Sequence, residues 1–151
     1  MSLDRIAVLA LTQGDKILLS RRSLDASWAP GVWHVPGGVV EEGEAVETAA
    51  VRELFEETGV KADVSDLIFR GVVAYNQSTE RHVDTFCFSV DKWVGEPTIM
   101  EPDKCIDMDW FSIDKMPDNL TEHARTIYMV DYPVFVRVYD GEVMNKIWST
   151  K

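Results

Sequence analysis

Glu53, Glu56 and Glu57 crowd into one short stretch of GGVVEEGEAVETAAVRELFEETGV, residues Gly37–Val60. Ala45, Val46, Ala49, Ala50 and Leu54 recur at helical spacing before them, and Gly59 supplies a stop signal. On a wheel of about 100° per residue with Val46 at zero, Ala49 and Ala50 fall within about 60° of Val46 and mark the buried face. Glu53 and Glu57 fall within about 20° of that same direction, with Glu56 one row to the side. The stripe facing the core thus turns into carboxylates, whose burial without a partner is costly and whose pKa values each would raise. Arg52 can meet Glu56 at i, i+4, but one guanidinium cannot neutralise three acids. A divalent cation can, and hard oxygen donors select Mg²⁺, Mn²⁺ or Ca²⁺ over zinc. Gly37 and Gly38 let the backbone approach closely, so a free carbonyl there could complete the shell. Such a metal suits phosphate chemistry, bridging carboxylates and substrate phosphates. The competing reading of the same residues is a solvated acidic helix end.

Positioning this helix requires the remaining elements. RIAVLALT and KILLSRR read as strands of a hairpin around Gln13-Gly14-Asp15. Residues Ser23–Gly31 read as a loop, and Val32–Pro36 as a short strand ending at the paired glycines. Two β-rich stretches, Leu67–Tyr75 and Val83–Trp93, flank the polar Asn76–Arg81, and Cys105–Phe111 reads as a further strand. Leu120–Val130 reads as a second helix, capped by Asn119 or Thr121. Tyr132–Tyr139 and Val143–Trp148 flank Asp140-Gly141, a hairpin turn signal. Strands, helix, strands, helix predict an α/β fold with a mixed sheet packed against helices.

The chain of 151 residues is 46% hydrophobic and 27% charged, which predicts one domain over residues 1–151 with a substantial core. The net charge of −11 argues against binding a nucleic-acid polymer or a membrane surface, both of which need basic patches. No segment has the roughly 20 apolar residues of a membrane span, and Ile6–Leu11 is too short for a signal-peptide core. Cys87 and Cys105 form no disulfide framework and read as reduced thiols, which points to a cytoplasmic protein. No EF-hand-like loop is present.

The acidic stretch resembles the signature of the Nudix hydrolases. Gly38, Glu44, Arg52, Glu53, Leu54, Glu56, Glu57, Gly59 and Val60 fill its fixed positions at the expected spacing. The flanks are similar as well: Leu18-Leu19-Ser20-Arg21 upstream, GVWHVPGG into the box, and EPDKCIDMDWFSIDKMP downstream as in MutT-like members. The resemblance implies an α/β/α sandwich that cleaves a nucleoside diphosphate linked to a further moiety, with Mg²⁺ or Mn²⁺ required. It implies Glu53, Glu56 and Glu57 as metal holders, with the carbonyl of Gly37 or Gly38 adding a ligand. Arg52 would orient the carboxylates, Glu44 would support them, and Glu53 or Glu56 would activate the water. It also raises Glu101, in a downstream loop, as a further metal ligand or base, against a plain solvated acid. His123, in NLTEHAR, becomes a substrate contact, against a surface or capping histidine.

Outside the box, Trp28 lies on a loop and could stack on a base, whereas Trp33 and Trp110 sit on strands and read as core. Arg21 or Arg22 could reach substrate phosphates, against an ordinary surface pair. His34 and His82 give no signal beyond their strands. The marks that ADP-ribose, dinucleoside polyphosphate and coenzyme A hydrolases tend to carry are missing, weak or generic here. The expected substrate is therefore a nucleoside triphosphate, cut to a monophosphate and pyrophosphate. The alternatives are a nucleotide-sugar or ADP-ribose hydrolase, or a catalytically silent ligand sensor. Val134, Phe135, Val136, Val138, Ile147 and Trp148 give the C-terminal hairpin an apolar face, which predicts either a cover for the domain or a homodimer interface.

Overall fold

The computed structural model describes residues 2–76, 81–129 and 131–148. Strand β1 (Ser2–Gln13) is its axis. It turns through Gly14, at φ +61°, into the antiparallel β2 (Lys16–Arg22), and it runs parallel to β6 (Arg81–Val90) from Ser2↔Arg81 to Leu11↔Val90. β5 (Ile68–Asn76) pairs antiparallel with β6 and parallel with β8 (Val134–Tyr139), which turns back into β9 (Glu142–Trp148). β2 also pairs with β3 (Trp33–His34) and with β7 (Cys105–Ser112), and the short β4 (Gly37–Val39) lies against β1.

The alternation of β1 builds two cores. Ala7, Leu9 and Leu11 face helix α1 (Val46–Thr58) and pack with Ala49, Ala50 and Leu54. Val8 and Ala10 face helix α2 (Glu122–Met129) and pack with Leu120, Ala124 and Ile127. The result is the expected α/β/α sandwich, a mixed sheet between helices. α1 ends where Gly59 enters the left-handed region at φ 76° and its N–H donates to the Phe55 carbonyl at 2.8 Å. At the start of α2, Thr121 is the cap: its Oγ1 accepts from the Ala124 N–H at 3.3 Å.

Several boundaries differ from the sequence reading, most of them by one to three residues. The strand expected over Val32–Pro36 contracts to Trp33–His34, because Pro36 has no N–H for the ladder. Its carbonyl instead accepts from Leu9 N–H at 2.9 Å, and residues 37–39 pair with β1 as a separate strand. The strand expected to reach Trp93 stops at Val90. Val130 and residues 77–80 of the polar stretch lie outside the described residues.

In the C-terminal hairpin, Asp140 (φ 45°) and Gly141 (φ 87°) make the turn. Val134, Val136 and Val138 are buried in the α2-side core, so this face covers the domain. The side chains of Ile147 and Trp148 lie outside the described residues. Among the described residues no helix is long and apolar enough to cross a membrane.

Candidate active site

The last two turns of α1 carry the acids, and Arg52 organises them. Its guanidinium grips Glu44 with both edges, Nε to Oε2 at 2.8 Å and Nη2 to Oε1 at 2.9 Å. Nη1 reaches Glu53 at 2.9 Å and Glu56 at 3.4 Å, and Nη2 donates to the Val39 carbonyl at 3.1 Å. The helical neighbour Glu56, expected as the partner, is thus its loosest carboxylate contact among these three. Glu44 precedes the helix and turns back to it, which wheel spacing does not show. The fork holds the Glu44 carboxyl down at about 2.

Glu57 is the most enclosed of the three acids. Its Oε2 accepts from the Gly37 N–H at 2.8 Å. Burial pushes its pKa up to about 8 in spite of that bond, with the Glu53 and Glu101 charges adding to the rise. Burial also raises Glu53, against the pull of Arg52. Glu56 stands about half exposed at the rim. Glu101 lies in the loop before β7, paired with Lys104 Nζ at 3.4 Å, and its charge is felt by both Glu53 and Glu57. The bare backbone of Gly38 lies against the Glu53 carboxylate.

This donor set fits a hard divalent cation. Glu53 and Glu57 are acids whose ionisation burial opposes, and Arg52 serves Glu44 as well as Glu53 and Glu56. Among the described residues no three His, Cys, Asp or Glu side chains close into a cage. Mg²⁺ does not require one, since it keeps several waters and binds through one or two carboxylates plus substrate phosphates.

Gly37 and Gly38 also border a cleft of about 930 Å³ on the α2 side of the sheet. Of the sequence candidates, Arg22, Trp28 and His123 line it and Arg21 does not. Arg21 is tied to its own loop, Nε donating to the Gly31 carbonyl at 2.9 Å, because it faces away from the cleft side. Arg22 donates to the Trp28 carbonyl at 2.8 Å, lies 5.2 Å over the Trp28 ring, and feels the Glu57 charge. His123 is 5% exposed, which removes the surface-histidine reading. Its ring stacks near-parallel to Trp28 at 6.1 Å. Trp33 and Trp110 pack into the two cores as expected.

Two cleft residues carry little signal in the sequence, where Tyr75 is only a weak mark of dinucleoside polyphosphate hydrolases and His34 gives none beyond its strand. Tyr75 hydrogen-bonds His123 Nδ1 at 2.9 Å. His34 lines the cleft floor, and burial, the His123 ring and the Arg22 charge push its pKa down to about 3. The alternation of β3 was the available signal: His34 faces opposite to Trp33, and so away from the Trp33–Phe111 contact.

A helix of clustered carboxylates beside a glycine strap, on a mixed sheet between two helices, defines an α/β/α sandwich with its acids at one edge. The NUDIX domain family model matches residues 1–130, and the chain belongs to the Nudix family. It is 33% identical over 118 residues to the oxidized purine nucleoside triphosphate hydrolase of Mus musculus, covering 78% of this chain and 72% of that protein. It is 31% identical over 124 residues to the NAD-capped RNA hydrolase NudC of Pseudomonas aeruginosa (strain LESB58). That match covers 82% of this chain but 41% of NudC, so the chain spans about two fifths of this relative's length. The crystal structure of a MutT NUDIX hydrolase from Burkholderia pseudomallei superposes with a TM-score of 0.77 at 28% identity, covering 85% of this chain and 97% of the other.

Proposed function

We propose that the chain, as one domain over residues 1–151, is a Mg²⁺- or Mn²⁺-dependent pyrophosphohydrolase. Its substrate is a nucleoside triphosphate, cut to a monophosphate and pyrophosphate. The observation that carries this reading is the arrangement of Glu53, Glu56 and Glu57 around Arg52 and the Gly37–Gly38 strap, next to a cleft of nucleotide size. Similarity to a purine nucleoside triphosphate hydrolase along most of both chains supports the triphosphate.

Glu53, Glu56 and Glu57 would hold the cation, with Glu101 and a carbonyl of Gly37 or Gly38 as further oxygen donors. When bound, it supplies charge neutralisation on the phosphate oxygens and a more acidic water. Arg52 fixes the carboxylates so that no reorganisation is needed as charge develops. Glu53 or Glu56 takes the proton of the attacking water. Arg22, between the cleft and Glu57, meets the phosphate chain. A small nucleotide is the partner, and the setting is cytoplasmic. A nucleic-acid polymer does not fit the net charge of −11.

The test is a turnover screen with product identification on nucleoside triphosphates, nucleotide sugars, ADP-ribose and dinucleotides, with Mg²⁺ and then with chelator. Pyrophosphate release that chelator abolishes is expected. A sugar phosphate as product would move the substrate to the nucleotide-sugar class, and nucleotide binding without turnover would make the chain a sensor.

A further inference from the structure

The cleft carries two imidazoles, His34 and His123, with the Arg22 charge bearing on both. Tyr75 holds one of them by two bonds. Its hydroxyl accepts from the His123 backbone N–H at 3.2 Å and sits 2.9 Å from His123 Nδ1. The hydroxyl's own proton has no other protein acceptor among the described residues. If it is donated to Nδ1, that nitrogen is bare and the ring proton sits on Nε2. Trp28 lies along one side of the ring and fixes its plane. Nε2–H has no protein acceptor among the described residues. Neither ring nitrogen of His34, also in the cleft, has a hydrogen-bond partner there.

These ring nitrogens open onto the cleft, so a ligand that displaces the cleft's water must satisfy them in its place. The ligand part that lies there is also surrounded by Val8, Val35, Val83 and Leu120 and by the Trp28 ring. An apolar wall with a few fixed polar atoms suits a flat, uncharged ring, which leaves Arg22 for the phosphates.

Resting on the triphosphate reading above, we propose that Tyr75 locks His123 as a fixed Nε2–H donor which, together with His34, reads a hydrogen-bond acceptor on the nucleotide base. Tyr75 is then a positioning residue for base recognition, and the two histidines are specificity determinants that take no part in the bond cleavage.

Two measurements on the full chain test this. Long-range ¹H–¹⁵N spectra of the unliganded protein should show His123 protonated on Nε2 alone, and Tyr75→Phe should give a mixture of ring forms. A single Nδ1–H form in the parent protein, or no change in Tyr75→Phe, overturns the proposal. Calorimetry with Mg²⁺ then compares ATP, GTP, CTP and UTP with inorganic tripolyphosphate. His123→Phe should weaken at least one nucleotide about tenfold, the size of one lost hydrogen bond, and leave tripolyphosphate within twofold. His123→Gln, which keeps an N–H near the Nε2 position, should recover part of the loss. Equal loss on tripolyphosphate, no loss on any nucleotide, or no nucleotide binding by the parent overturns the proposal. If the proposal is right, KM rises while kcat for pyrophosphate release holds. Failure of the parent to cleave any phosphoanhydride, with the binding pattern intact, would instead remove the triphosphatase reading.

Discussion

A Cβ placed on Gly38 would lie 2.4 Å from the Glu53 carboxyl carbon. The strap residue and this acid are therefore matched surfaces, and the obstacle is the far end of a flexible side chain. Gly38→Ala should push the Glu53 carboxylate aside at little cost to the fold. A fall in kcat of about a hundredfold, as for a catalytic group displaced by about 1 Å, is expected. Steady-state kinetics beside a thermal melt would check it, and an unimpaired kcat would break the link between the two residues.

Gly37→Ala should fail differently. Its Cβ would meet the Ala7 backbone carbonyl at 2.5 Å and the Val8 Cα at 2.9 Å, and backbone cannot step aside. A loss of about 1–3 kcal/mol of stability is expected, the usual size of an overpacking strain. Denaturant unfolding measures it directly, and a midpoint equal to the parent's would contradict the packing described.

Arg52→Lys keeps the charge but removes the fork. A single ammonium cannot hold Glu44 with two edges and Glu53 with a third nitrogen. Activity should drop about tenfold or more, while stability moves by less than about 1 kcal/mol because these pairs are partly solvated. Kinetics that match the parent would show that the carboxylates are ordered by something else.

Glu57→Gln should lower kcat by about a hundredfold or more, on the order of 3 kcal/mol. The fold should hold or gain, because the amide oxygen still accepts from the Gly37 N–H and the cost of taking up a proton on folding is gone. Full activity in this variant would remove Glu57 from the metal holders.

The histidines of the cleft give a pH prediction. His34 and His123 are both pushed down to about 3, chiefly by burial and also by the Arg22 charge. Unfolded, each takes a proton near 6.5. Between these values the unfolded chain binds more protons than the native one, so stability rises with pH there. Their contribution is complete above about 6.5 and is lost as pH falls toward about 3. Replacing both by glutamine should flatten the acid limb of a stability–pH curve, and an unchanged limb would count against buried, uncharged rings.

The acidic helix was legible in the sequence because Val46, Ala49, Ala50 and Leu54 share one period with Glu53 and Glu57, and because the glycines bracket them. The hairpin at Asp140-Gly141 was legible from its turn residues alone. Other contacts were hidden by chain separation. Tyr75 and His123 are 48 residues apart and meet only because β5 lies beneath the start of α2. Nothing in a sequence window ties His34, on a two-residue strand, to either of them. The strand at Gly37–Val39 was hidden for another reason: glycine lacks the side chain on which strand patterns are read, and pairing with β1 supplied what propensity did not.

Gly37 and Gly38 border the cleft and, through their other contacts, touch Glu57 and Glu53. Among the described residues neither His34 nor His123 hydrogen-bonds a carboxylate of α1, whereas Trp28 is joined to the acid side through Arg22, which lies over its ring and feels the Glu57 charge. On the proposed reading the two histidines would be a replaceable gauge beside a constant cutting edge, so altering what the chain accepts would call for edits on their side of the partition.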